Sequence, residues 1–97
     1  MPEFISVIQD WGHYTKVTIM HYSGAGVVEL FVYNDTDTAE IASLYVVPQM
    51  RGRGIAKMLI QQAEQKAKDL GAKRTKILSE PHLITFYKEL GYKEEKK

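Results

Sequence analysis

The first half of the chain alternates and the second half does not. "YTKVTIMHY" (Tyr14–Tyr22) places β-branched and aromatic residues at every other position, and "VVELFVY" (Val27–Tyr33) repeats the pattern after the turn "SGAG" (Ser23–Gly26). Period-two patterning of this kind predicts strands with one face buried. "FISVIQDW" (Phe4–Trp11) reads as a more weakly alternating strand that Gly12 breaks. "AEIASLYVV" (Ala39–Val47) follows a second turn, "NDTDT" (Asn34–Thr38), and stops at Pro48. Short polar turns between such runs predict an antiparallel meander.

The period then lengthens. Between Gly54 and Leu70 the apolar residues fall at Ile55, Met58, Leu59, Ala63, Ala67 and Leu70, opposite a polar face of Gln61, Gln65, Lys68 and Asp69. That spacing predicts an amphipathic helix, and Gly71 stands where a left-handed residue ends one. "KRTKIL" (Lys73–Leu78) predicts a further strand, parallel to the one before the helix, since a strand–helix–strand order produces a parallel crossover. A second helix is expected from Pro81, with Ser79 or Glu80 as its cap. Its apolar face would be Leu83, Phe86, Tyr87 and Leu90, and Gly91 would end it. The expected order is β-β-β-β-α-β-α-β: an α+β fold with one mixed sheet and two main helices.

Composition narrows the function. Ninety-seven residues, 44% hydrophobic and 26% charged, suit a single globular domain spanning 1–97. There is no cysteine, which excludes disulfides and thiolate metal sites and leads us to expect a cytoplasmic, reducing compartment. His13, His21 and His82 lack metal-ligand spacing, so no metal is expected. No signal peptide and no membrane span are read from the sequence. The net charge of +1 conceals an asymmetry: residues 1–47 hold one base and six acids, whereas residues 48–97 hold twelve bases and six acids. This predicts an anionic ligand on the second half and a cationic one near the first.

"RGRGIAKML" (Arg51–Leu59) is where that anion belongs. Gly52 and Gly54 supply two glycines of a dinucleotide fingerprint, but Lys57 stands at the third, and no Walker-type Gly-Lys-Ser/Thr follows. RNA-binding Arg-Gly tracts are repeated; this one is single, and with the small net charge it argues against nucleic acid. A glycine turn that merely starts a helix would need one glycine. A helix start leaves N–H groups unpaired and partly positive, and two glycines with Arg51, Arg53 and Lys57 around them suit a phosphate.

The wider stretch "AEIASLYVVPQMRGRGIAKMLIQQAEQKAKDLG" (Ala39–Gly71) resembles motif A of the GNAT acyltransferase family. Leu44, Val46 and Pro48 match its L-x-V-x-P strand ending, and Arg51, Gly54 and Ala56 match its [QR]-x-x-G-x-[GA] turn. "FYKELGY" (Phe86–Tyr92) is similar to the family's F-Y-x-x-x-G-[FY] segment. The resemblance implies an acetyl-CoA-dependent N-acetyltransferase acting on a primary amine of a small molecule or protein. Its acetyl-CoA-binding core would cover about residues 39–92.

The resemblance also implies a site. Acetyl-CoA would lie where Ala39–Val47 splays from Lys73–Leu78. Backbone groups of Leu44, Tyr45 and Val46 would pair with the pantetheine arm. Gly52, Arg53, Gly54, Ile55, Ala56 and Lys57 would hold the pyrophosphate with Arg51 beside them. The N–H of Val46 would serve as an oxyanion donor, and Tyr87 would protonate the leaving sulfur. Glu29, flanked by apolar residues, is the preferred general base over Glu40, His21 or a water chain. The chain departs from the family at three places: no helix pair between its first two strands, Glu80 where an asparagine is common, and no final strand. The open sheet edge leads us to expect a homodimer. A non-catalytic acyl-CoA-binding module is the alternative function, and a nucleic-acid-binding domain a distant third.

Overall fold

A computed structural model describes residues 3–77 together with Lys88 and Glu89. Its elements are β1 (Phe4–Asp10), β2 (Tyr14–His21), β3 (Gly26–Tyr33), β4 (Thr38–Val46), a single 3-10 turn at Pro48–Met50, α1 (Ile55–Asp69) and β5 (Arg74–Ile77). One sheet runs β1-β2-β3-β4-β5. The first four strands form the antiparallel meander, and β5 pairs parallel to β4. The expected mixed sheet and parallel crossover are therefore present. Lys88 and Glu89 are helical; the remainder of the expected second helix and the closing strand lie outside the described residues.

Alternation does the sorting. Val17 and Ile19 of β2, Val28, Leu30 and Val32 of β3, and Ala39 and Ile41 of β4 all point to one face, where Ile55, Leu59, Ile60, Ala63 and Ala67 of α1 cover them. The helix face is small at Ala63 and Ala67, both fully buried, which lets the helix lie close on the strands. Gly71, at φ +95°, closes α1, and the Ala72 N–H returns to the Ala67 carbonyl at 2.9 Å.

The opposite sheet face carries no described helix. It presents Lys16, Thr18 and Met20, then Val27, Glu29, Phe31 and Tyr33, then Glu40, Ser43 and Tyr45.

The pattern changes parity once. Glu29 pairs with Ser43 but Leu30 pairs with Ile41, so Ala42 is an extra residue in β4. Before this bulge the buried positions are odd (Ala39, Ile41); after it the inward positions are even (Leu44, Val46). One inserted residue flips which side chains face the core.

Candidate functional site

β5 pairs with β4 from Thr38 to Ile41, as far as Ile77, the last described residue of β5, and β4 continues alongside β3 to Val46. The Ala42 bulge follows directly. Beyond it, the hydrogen-bonding phase of β4 against β3 follows from one contact: the Val47 N–H donates to the Ala25 carbonyl at 2.8 Å. Antiparallel ladders alternate, so Tyr45 and Ser43 exchange their backbone bonds with Val27 and Glu29. Leu44 and Val46 turn their backbone N–H and C=O groups away from β3. Of the three residues singled out for backbone pairing, two thus face away from β3, whereas the Tyr45 backbone is committed to it. The Tyr45 side chain lies half-exposed on the uncovered sheet face.

The turn after β4 carries the chain to the helix start. Gly52 (φ +81°) and Gly54 (φ +79°) both adopt the left-handed conformation, which costs any residue with a Cβ about 1–2 kcal/mol. Neither Cβ position meets an atom within 4 Å. The glycines are therefore required by backbone conformation, and they leave the outer side of the loop clear. Gly54 is the N-cap of α1; no side chain caps the helix, and no acid sits in its first turn. The N–H groups of Ile55, Ala56 and Lys57 come first in the helix and precede any possible i−4 partner within it. Ile55 is buried under the sheet, while Arg53 and Lys57 are exposed around the helix start.

Arg51 has a different role from its neighbours. Its Nε–H donates to the carbonyl of Val46 at 3.0 Å, and its guanidinium lies 5.8 Å from the centroid of the Tyr45 ring. It ties the loop to the end of β4. Gly26 provides the other constraint. A Cβ there would stand 2.9 Å from Leu59 Cδ1, 3.1 Å from the Tyr45 carbonyl oxygen and 3.3 Å from Ile55 Cγ2. The first turn of α1 can approach the sheet only over a glycine.

Glu29 lies on the uncovered face, opposite Ser43 at the edge of the bulge. Its Oε2 is 3.4 Å from Lys16 Nζ, with both side chains about one-third exposed. Glu40 shares the face but pairs with Phe31, on the far side of the bulge. Burial, the Glu40 carboxylate and Tyr14 together raise the pKa of the nearby Tyr33 phenol, which stays protonated and cannot accept a proton near neutral pH. His21 belongs to the opposite parity, shared with Val17 and Ile19. Its ring meets Phe4 edge-on at 5.5 Å, and its Nδ1 lies 2.7 Å from Ser23 Oγ. Tyr87 lies outside the described residues. Among those described, no three His, Asp or Glu side chains gather as a metal site, and no helix is long and apolar enough to cross a membrane.

The sequence reading missed the bulge at Ala42, the close approach at Gly26 and the Arg51–Val46 tie. Only the first left a trace in the sequence: within Ala39–Val46, the apolar positions shift from odd to even.

A mixed sheet that contains a parallel pair, with an uncapped glycine-led helix start after its fourth strand, defines an α+β domain. The chain belongs to the Acetyltransferase (GNAT) family, whose profile matches residues 4–92. The uncharacterized N-acetyltransferase YjgM of Escherichia coli is 31% identical over 72 residues, which are 71% of this chain and 43% of that protein. A Pyrococcus furiosus protein assigned to the acetyl transferases superposes with a TM-score of 0.71 at 29% identity, over 89% of this chain and 63% of that one. An aminoglycoside N-acetyltransferase solved in complex with CoA shares the fold, with a TM-score of 0.68 at 20% identity, over 89% and 64% of the two chains. This chain thus spans under half the length of the curated relative and about two-thirds the length of these structures.

Proposed function

We propose that this domain is an acetyl-CoA-dependent N-acetyltransferase acting on a primary amine. The observation that carries the reading is the coincidence of two features at one end of β4. Leu44 and Val46 turn their backbone N–H groups away from β3, and the uncapped start of α1 follows within ten residues. Together they suit a thioester arm bonded like an added strand, with its pyrophosphate at the helix start. Family membership supports the acyl donor, and the aminoglycoside enzyme of the same fold is solved with CoA.

Acetyl-CoA supplies an acetyl thioester: a nitrogen–carbon bond forms, the carbon–sulfur bond breaks, and the cationic amine gives up two protons, one matched by the proton that reaches the sulfur and one passed to solvent. The chain's residues divide these tasks. The Val46 N–H, turned away from β3, serves as oxyanion donor. Gly52 to Lys57 hold the phosphates, while Arg51 fixes the loop to β4 and does not meet the phosphates first. Glu29, on the strand beside β4, accepts the amine proton, and Lys16 beside it holds the carboxylate in place. Tyr87 is assigned to the sulfur on the match of "FYKELGY" alone. The acceptor is a cationic amine, drawn by Glu29 and Glu40 on a face that also carries the aromatic rings of Tyr14, Phe31 and Tyr33.

Thermal unfolding with acetyl-CoA and CoA tests binding, because a ligand that binds only the native state raises its midpoint. Release of free thiol over a panel of amines tests transfer. A shift with both CoA forms and thiol release on at least one amine is expected. No shift with either form refutes the reading, and a shift without transfer on any amine favours an acyl-CoA-binding module.

A further inference from the structure

β1 is bonded on one side only among the described residues, and it carries none of the usual protections of an edge strand. Exposed edges are ordinarily blunted by lysine, proline, a bulge or a covering segment. β1 runs Phe4-Ile5-Ser6-Val7-Ile8-Gln9-Asp10, pairs with β2 without a bulge, and contains no basic residue and no proline. Its apolar side chains are exposed on both faces: Ile5 at 49% and Val7 at 45% on the uncovered face, Ile8 at 50% on the helix side. Trp11, just beyond, is 58% exposed.

The hydrogen-bonding phase of this edge can be read from its two ends. The Tyr22 N–H donates to the Glu3 carbonyl, and the Trp11 N–H donates to the Tyr14 carbonyl. Odd residues of β1 are therefore bonded to β2, and the N–H and C=O groups of Phe4, Ser6 and Ile8 point outward.

We propose that β1 pairs antiparallel with β1 of a second copy of this chain, about a two-fold axis at Ser6, joining two sheets into one continuous sheet. The hydropathy of the strand selects this partner and this register. Phe4-Ile5-Ser6-Val7-Ile8 is palindromic in apolar and polar residues. Centred on Ser6, Phe4 faces the partner's Ile8 on the helix side, Ile5 faces the partner's Val7 on the uncovered side, and Ser6 faces its own twin. The outward-bonding residues meet outward-bonding residues, as an isologous interface requires. The only charged residue of the strand, Asp10, falls outside the paired five, so no like charges oppose one another. Centring on Val7 instead would put Ile5 against Gln9 and Phe4 against Asp10. The pairing is independent of the acetyl-transfer reading, since neither Leu44–Val46 nor the α1 start takes part.

The chain has no cysteine, so a single introduced thiol reports the register. A hydrogen-bonded antiparallel pair holds its Cα atoms about 5.5 Å apart, within disulfide reach. Ser6→Cys is expected to cross-link to a covalent dimer under mild oxidation at least tenfold faster than Ile8→Cys, whose twin would lie about 14 Å along the strand. Light scattering on the wild-type chain is expected to give twice 11.1 kDa. Ser6→Pro removes only an outward N–H and is expected to give a monomer with an unchanged circular dichroism spectrum. A wild-type chain that is monomeric at tens of micromolar, or Ser6→Cys and Ile8→Cys cross-linking at equal rates, overturns the proposal even if Ser6→Pro does not fold.

Discussion

Arg51 and Val46 are joined by a hydrogen bond from the guanidinium Nε–H to the strand carbonyl at 3.0 Å. The bond closes the five-residue path from the end of β4 to the glycine loop, so the end of β4 and the helix start are held in one geometry. Arg51→Ala is expected to weaken CoA binding about fivefold, as loss of one hydrogen bond of about 1 kcal/mol implies. Arg51→Lys is expected to weaken it as much, because an ammonium cannot reproduce the Nε–H donor and the stacked guanidinium. Titration calorimetry with CoA checks both.

Gly54 caps α1 at φ +79°. Gly54→Ala is expected to destabilise the domain by about 1 kcal/mol through backbone strain alone, measurable by urea unfolding. Gly54→Val adds a β-branched side chain at the phosphate position and is expected to abolish CoA binding. If Gly54→Val binds CoA as well as Arg51→Ala does, the stretch is only a turn that starts a helix.

Gly26 lies beneath the first turn of α1, with the Tyr45 carbonyl oxygen and the Leu59 side chain closing on the place a Cβ would take. A strand oxygen cannot move aside without disturbing the ladder. Gly26→Ala is expected to cost about 1–3 kcal/mol and to lower the thermal midpoint. Ala25, whose carbonyl accepts the Val47 N–H, is the neighbouring control: Ala25→Gly is expected to cost less than Gly26→Ala.

Glu29 reaches Lys16 across the uncovered face. Glu29→Gln is expected to lower kcat about 100-fold while leaving the CoA-induced thermal shift intact. Lys16→Met, which removes the neighbouring cation, is expected to alter kcat far less. Initial rates of thiol release at saturating amine give both values, and an unchanged kcat in Glu29→Gln assigns the proton to water.

Strand identities, the helix and the glycine turn were legible in the sequence because each depends on local periodicity. Val17, Ile19, Val28, Leu30 and Val32 can be buried together in only one pleat, and the Ile55–Ala67 spacing fits only one helical stripe. Gly71 ended α1 where a left-handed residue was expected. Other features belong to pairs of distant residues, and local pattern is silent on them. Which backbone groups of Leu44, Tyr45 and Val46 face outward depends on where β3 sets the hydrogen-bonding phase. That phase is reset by a single extra residue at Ala42, and only the partner strand reveals an extra residue. Gly26 read as part of a turn, because its close contact is with a helix some thirty residues later. Arg51 read as a phosphate ligand from its charge, yet a carbonyl five residues back takes its Nε–H. The sequence determined the elements and the chemistry of the loop, through propensity and spacing. The tertiary structure decided which atoms are left free to meet a ligand, because a donor is free only when no neighbour in space has claimed it.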